Sequence, residues 1–267
     1  MMKHISSTQN ADIKAFMLLQ SKAKIRAEKK QFVVEGRREL QLSQLSDYTV
    51  SDIFWCPEIF EQTAFTDWIT QFGNNIYVTS VSLNVYQKMV VRDSTEGVVG
   101  IVQQKKNVLK TWKPENKNPL ILVLESIEKP GNLGAIFRTA EASSVDAIII
   151  TEEHTDIHNP NVIRSSVGGF FSSRIFVCSN EEAMDFLIKN KVIPYAALLQ
   201  KSIIYTQADY KNPTAFVMGS EAKGLSEFWR KEEISAVKIP MLGNVDSLNV
   251  SVATAILTYE AIRQRNC

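Results

Sequence analysis

Three groups of polar and glycine residues, each set directly behind an apolar run, carry the side chains of this sequence best suited to chemistry. The first runs from Pro130 to Ala140 and holds Asn132 and Arg138; the second holds Gly219, Glu221 and Gly224 behind Phe216-Val217-Met218. The third places Ser247 and Asn249 after Ile239-Pro240-Met241. Turns beyond the carboxyl ends of strands are where open α/β sheets bind ligands. An arginine in the first turns of a helix can grip a phosphate through a planar, permanently charged fork. As a plain surface residue, Arg138 would instead pair with Glu141 or Glu125. Glycine at a strand end, as at Gly219, lets a ligand approach the backbone. More ordinary uses stand beside these: Asn132 suits a helix N-terminus, Ser247 a helix N-cap, and Glu221 the cap of a helix expected after Gly224. Asn249 falls inside the first turn of a helix expected over residues 248–264. Its propensity there is poor, and that misfit favours a functional role.

Other reactive side chains form no comparable group. Cys56, Cys178 and Cys267 are odd in number and widely spaced, which suggests free thiols, two of them in the core, rather than disulfides or a zinc site. His154 and His158 are four apart, but Pro160 follows and no helix pattern surrounds them, so no metal pair is expected. No apolar run reaches the roughly 18 residues needed to span a bilayer, and the N-terminus lacks the apolar stretch of a secretory signal. The expectation is a cytoplasmic protein with neither metal nor membrane partner. A Gly-x-Gly-x-x-Gly fingerprint and a phosphate loop are both missing, which ranks a generic nucleotide-binding enzyme last.

The elements that must position these groups read as two α/β domains. With 267 residues, 45% of them hydrophobic and 22% charged, the chain can bury a sizeable core in each. Residues 1–104 read as a small mixed unit. Helices are expected over residues 11–30, with Ile13, Phe16, Met17 and Leu19 inward, and over 37–45, with Leu40 and Leu45 as core contacts. Short strands are expected at 32–34, 52–56, 75–78 and 97–102. Residues 105–119, rich in lysine and asparagine with two prolines, read as a linker. From residue 120 onward apolar strands (120–124, 147–150, 174–177, 195–198, 215–218, 237–239) alternate with helices, the pattern of a mainly parallel sheet covered on both faces. The last helix puts Val252, Ala255, Ile256, Tyr259 and Ile262 on one side. Net charge is only +1, yet seven cations from Lys22 to Arg38 face two glutamates, and five lysines from Lys105 to Lys117 face one. Local patches of this kind suit a phosphate backbone, though a solvated surface gives the same pattern.

Taken in order, the three motifs resemble the SpoU (TrmH-type) family of RNA ribose 2′-O-methyltransferases within the SPOUT superfamily. The resemblance is strong from residue 120 to 264 and looser over 1–104, where Phe32-Val33-Val34-Glu35-Gly36-Arg37-Arg38 matches best. It implies a knotted methyltransferase domain over residues 120–267, with a deep C-terminal trefoil knot that periodicity would never suggest. It also implies an RNA substrate-binding domain over residues 1–104, similar to ribosomal protein L30e. By the same resemblance Asn132, Arg138, Glu221, Ser247 and Asn249 belong to the catalytic centre. Leu198, Gly219, Ile239, Met241 and Leu248 would hold S-adenosyl-L-methionine. The implied partners are RNA, ribosomal rather than transfer RNA, and a second copy of the chain in a homodimer. A transfer RNA 2′-O-methyltransferase, or a non-catalytic knotted RNA-binding or ribosome-assembly factor, is the alternative.

Overall fold

The computed structural model describes residues 3–73, 75–91, 96–231 and 233–266, so Cys267 and the first two methionines lie outside the described residues. The chain forms two units. One holds the residues up to Lys105 together with His158–Ser172; the other holds Lys106–Ile157 together with the residues from Ser173 onward.

In the first unit five strands, β1 (Lys3–Ile5), β2 (Gln31–Glu35), β3 (Val50–Trp55), β4 (Tyr77–Val81) and β5 (Val98–Gln103), form one mixed sheet in the order β1-β4-β3-β5-β2. Helices α1 (Ala11–Ser21), α2 (Ala23–Lys29), α3 (Arg37–Leu45), α4 (Gln62–Ile69) and α5 (Leu83–Met89) connect them. The helix read across residues 11–30 is two helices, because Lys22 adopts extended backbone between them. Ile13, Phe16 and Leu19 do face the core. Leu40 is buried, but Leu45 is exposed, since five residues along a helix carry it well off the face that Leu40 occupies. One of the seven clustered cations is also structural: Arg26 is buried, and its guanidinium donates to the carbonyls of Leu19 and Gln20 across the α1–α2 break. Two short helices from later in the chain, α7 (Pro160–Ser165) and α8 (Gly169–Ser172), also belong to this unit. Phe170 and Phe171 join Phe32 and Tyr48 in an aromatic cluster with ring centroids 5.3–6.4 Å apart.

The second unit is built on β6 (Leu120–Glu125), β7 (Ala147–Thr151), β8 (Ile175–Cys178), β9 (Ile193–Ala197), β10 (Ile203–Ile204), β11 (Thr214–Met218) and β12 (Ser235–Lys238). All pair in parallel, in the order β10-β12-β9-β11-β6-β7-β8. The central β6 and β11 are buried along their whole length, as continuous apolar runs between two helical layers must be. Helices α6 (Pro130–Ala142), α9 (Asn180–Lys189) and α10 (Val250–Arg265) accompany the sheet. This is the α/β architecture with a parallel sheet that the alternation of strands and helices predicts. The short β1 and β10 leave no trace in the sequence pattern; strands of three and two residues cannot display a period.

The structure adds detail to two segments. Residues 106–119 pack with the second unit: Leu109 is buried in a single 3-10 turn, and Trp112 stacks on Phe186 at 5.3 Å. The α10 stripe is divided: Val252 and Tyr259 are 47% and 51% exposed and Ala255, Ile256 and Ile262 are half-buried, while Val250, Thr254, Leu257 and Ala261 face inward. Of the two described thiols Cys56 is buried, whereas Cys178 is only half-buried. Burial pushes the first up to about 11 and the second to about 12. Among the described residues no helix is long and apolar enough to cross a membrane. Because Leu109 is buried in this core, Leu109→Ala is expected to lower unfolding stability by about 2–4 kcal/mol, whereas a solvated linker position would change it by about 0.5 or less. Urea unfolding of the variant decides between them.

Candidate active site

Strands β12, β9, β11 and β6 are neighbours in one parallel sheet, so their carboxyl ends lie side by side. A cavity of about 1050 Å³ opens there. Leu198, Met218, Leu225, Val237 and Leu257 give it apolar walls. Asn132, Glu221, Ser247 and Asn249 bring polar groups, and Lys201, Lys223 and Lys231 line it with cations.

The turn behind β11 is the tightest part. Ser220 and Gly224 exchange both backbone hydrogen bonds, at 3.1 and 2.9 Å, closing a short hairpin in which Gly224 has φ +69°. A Cβ on Gly219 would sit 2.3 Å from the backbone of Gly224 and Leu225, so no side chain fits. Beyond the hairpin the chain makes a 3-10 turn, Glu227–Trp229, rather than the helix expected there. Glu221 therefore caps a different element. Its carboxylate accepts from the N–H groups of Glu128 (3.0 Å) and Lys129 (3.3 Å) in the turn that leads into α6. It accepts a third bond from Asn132 Nδ2 at 2.5 Å. Helix α6 begins at Pro130, so Asn132 lies inside its first turn rather than capping it.

The third motif joins the same chain of bonds. Asn249 Nδ2 donates to Asn132 Oδ1 at 3.0 Å. Asn249 Oδ1 accepts from Ser251 N at 2.8 Å and from Ser251 Oγ at 2.7 Å. Asn249 is thus the N-cap of α10, which begins at Val250. Ser247 does not cap it, and the propensity misfit seen at Asn249 vanishes, since asparagine is among the best N-caps. Because Glu221 can only accept, both amides are oriented: each NH₂ points toward Glu221 and each oxygen away from it. Burial alone would raise the Glu221 carboxyl. The hydrogen bonds from Glu128, Asn132 and Lys129 outweigh it and hold the group below its ordinary value.

Nine of the ten residues that the sequence nominates line this one cavity: Asn132, Leu198, Gly219, Glu221, Ile239, Met241, Ser247, Leu248 and Asn249. Arg138 does not. It is exposed on α6, and among the described residues it has neither a hydrogen-bond nor an ion-pair partner. Neither expected acid holds it, and Glu125 is buried and hydrogen-bonded to Asn180 and Ser226 instead. Sequence reasoning missed Val250, Ala253 and Leu257, which line the cavity from α10. Their spacing of three and four residues was the available signal. It also missed the lysines, which follow no pattern along the chain.

Residues 119–259 match the family described as the SpoU rRNA Methylase family. The chain belongs to that family. Residues 10–100 match the MRM3-like substrate binding domain. Among relatives of this SpoU chain, the 23S rRNA (guanosine-2'-O-)-methyltransferase RlmB of Shewanella oneidensis is 32% identical over 219 residues, 79% of this chain and 88% of that protein. The 23S rRNA (uridine(2479)-2'-O)-methyltransferase of Streptomyces viridochromogenes is 25% identical over 97% of this chain and 92% of its own length. The crystal structure of an AdoMet-bound rRNA methyltransferase from Sinorhizobium meliloti superposes with a TM-score of 0.88 at 28% identity, covering 98% of each chain.

The lowered Glu221 carboxyl makes a pH prediction for this SpoU site. A group held below its ordinary value of 4.5 contributes stability that is present above that value and lost as pH falls through the lowered one. Glu221→Gln is therefore expected to destabilise the protein at neutral pH and to converge on the parent in acid. Urea unfolding at a series of pH values checks this; a pH-independent difference contradicts it.

Proposed function

We propose that this protein transfers a methyl group from S-adenosylmethionine to a ribose 2′-hydroxyl of RNA, with large-subunit ribosomal RNA preferred over transfer RNA. The observation that carries the reading is the convergence of three separated motifs on one cavity. Ribosomal RNA is favoured by the substrate-binding domain match over residues 10–100 and by the named activities of the relatives. Those relatives differ in base, guanosine in one and uridine in the other, so the target base follows from neither. The leading unit is assigned to RNA binding and the unit carrying the parallel sheet to catalysis. The loop between Met241 and Asn249 and the hairpin closed by Gly224 line the same cavity; threading of the C-terminal segment into a trefoil knot is part of the proposal. A cytoplasmic location follows from the same reading.

The cavity fits such a cofactor. Its volume lies just above the roughly 300–1,000 Å³ typical of ligand sites, leaving room for a substrate ribose beside the cofactor. Apolar walls from Leu198, Ile239, Met241 and Leu248 suit an adenine, and the floor at Gly219 tolerates nothing larger than a hydrogen. When bound, the cofactor supplies an electrophilic methyl on a sulfonium. Asn132 and Asn249, held by Glu221, orient the polar wall; Ser247 stands beside them. A displacement of this kind depends on in-line placement and a dry site. Arg138 is assigned to orienting the ribose hydroxyl and stabilising its emerging charge, because a guanidinium is not deprotonated in proteins.

Arg138 lies outside the cavity of its own chain, so its role requires another copy. A homodimer is proposed, with the outward Val252 and Tyr259 stripe of α10 and the exposed Leu242 and Val245 as apolar surface for it. Static light scattering at micromolar concentration is expected to give twice the chain mass; a mass of one chain refutes the dimer. Arg138→Ala is expected to lower methyl transfer to ribosomal RNA by about a hundredfold or more, with cofactor affinity within a few fold of the parent. Cofactor binding without transfer by the parent protein to any of the organism's RNAs would favour the silent assembly factor.

A further inference from the structure

Among the described residues, Glu125 is a buried carboxylate beside the cavity that the proposed chemistry does not use. It ends β6 at 2% exposure, and its hydrogen bonds are short. Ser226 N donates to Oε2 at 2.7 Å, Ser226 Oγ to Oε1 at 2.6 Å, and Asn180 Nδ2 to Oε1 at 2.7 Å. Asn180, at the start of α9, in turn accepts from Trp229 Nε1 at 2.8 Å. Glu125 itself does not line the cavity.

Its place in the chain gives it a role. Two short segments face each other here: the strand-to-helix turn from Glu125 to Lys129, and the hairpin region from Gly219 to Ser226. Each lends the other one carboxylate. Glu221, at the hairpin tip, accepts the N–H groups of Glu128 and Lys129. Glu125, at the start of the turn, accepts the N–H and hydroxyl of Ser226, just past the hairpin's second leg. Gly224 and Leu225 lie between these two clasps in the chain, Gly219 and Ser220 directly precede the first, and all four line the cavity. Ser126, next to Glu125, has φ +55°, a left-handed conformation costly for serine that sustains the sharp exit from β6.

We propose that Glu125 is a positioning residue for the cofactor site, fixing the Gly219–Ser226 hairpin in its ligand-ready shape through Ser226. The ligand in question rests on the proposed function above; the fixing of the hairpin does not. A buried carboxylate satisfies all three of these donors, whereas an amide in its place turns its one NH₂ toward at least one donor that needs an acceptor.

The test uses Glu125→Gln, the milder Ser226→Ala, and Trp229→Phe, which breaks the network on the side away from the hairpin. Hydrogen exchange of residues 220–225 in the ligand-free protein is expected to quicken in the first two and not in the third. Calorimetry is expected to give an S-adenosylmethionine Kd raised about tenfold in Glu125→Gln, the worth of roughly one charge-assisted hydrogen bond, and less in Ser226→Ala. At saturating cofactor the turnover should stay within about twofold of the parent, a KM effect rather than a kcat effect. Trp229→Phe should lower Tm with Kd unchanged. Unaltered hairpin exchange in Ser226→Ala and Glu125→Gln, or equal losses of affinity in all three variants, overturns the proposal. If Glu125→Gln fails to fold, hairpin exchange and affinity in Ser226→Ala decide the matter alone. If the parent binds no S-adenosylmethionine, the functional reading fails while the exchange data still decide the role of Glu125.

Discussion

One carboxylate ties the site together. Glu221 gathers the N–H groups of Glu128 and Lys129 and the amide of Asn132, and through Asn132 it reaches Asn249 and the start of α10. Three segments widely separated in the chain are thereby held at one place. Backbone amides at a helix N-terminus carry partial positive charge, so the negative charge of Glu221 is compensated where it stands. The tie also sets direction, since a group that only accepts forces each amide in the chain to present its hydrogens inward. A neutral glutamine at the same position could not impose that order.

The sheet supplies the frame within which such a tie is possible. Strands β9, β11 and β6 are adjacent and parallel, so the turns after them open on the same edge although they are far apart in sequence. Gly219 lets the hairpin fold flat against its own return, where a single methyl would meet backbone at 2.3 Å. Chain direction and one missing side chain do most of the placing; the polar bonds then lock it.

Much of this is legible in the sequence because it is written in local patterns. The apolar runs of β6, β7 and β11 announce a buried parallel sheet, and the motif residues sit where those runs stop. What is not legible depends on partners distant in sequence. Glu221 reads as a local cap because the turn whose amides it accepts, just ahead of α6, lies far upstream after β6. Arg26 reads as part of a basic surface, yet the break at Lys22 turns it inward onto carbonyls. Leu109 sits in a stretch whose composition is that of a linker, and only contact with the second unit's core buries it. The stripe on α10 shows its period in the sequence but not the direction it faces. A helical period has no sign, and in this chain Val252 and Tyr259 point out.

The charges around the cavity constrain the chemistry further. Among the described lining residues there is no histidine, cysteine, tyrosine or aspartate. Glu227 lines it too, but its side chain is 92% exposed and 3.9 Å from Arg230. Glu221 has three donors on its oxygens and a lowered affinity for protons, so it is a poor base at neutral pH. A hydroxyl nucleophile therefore finds no ready proton acceptor among these side chains. What the cavity offers instead is cations: Lys129, Lys201, Lys223, Arg230, Lys231 and Lys238 all line it. Cations beside a reacting hydroxyl favour a developing oxyanion over its neutral parent, although five of these six are exposed and so act screened by solvent. The same charges attract phosphates, the repeating anionic group of any nucleic-acid backbone. A net charge of only +1 is compatible with this, because the cavity lining sets six cations against Glu221 and Glu227.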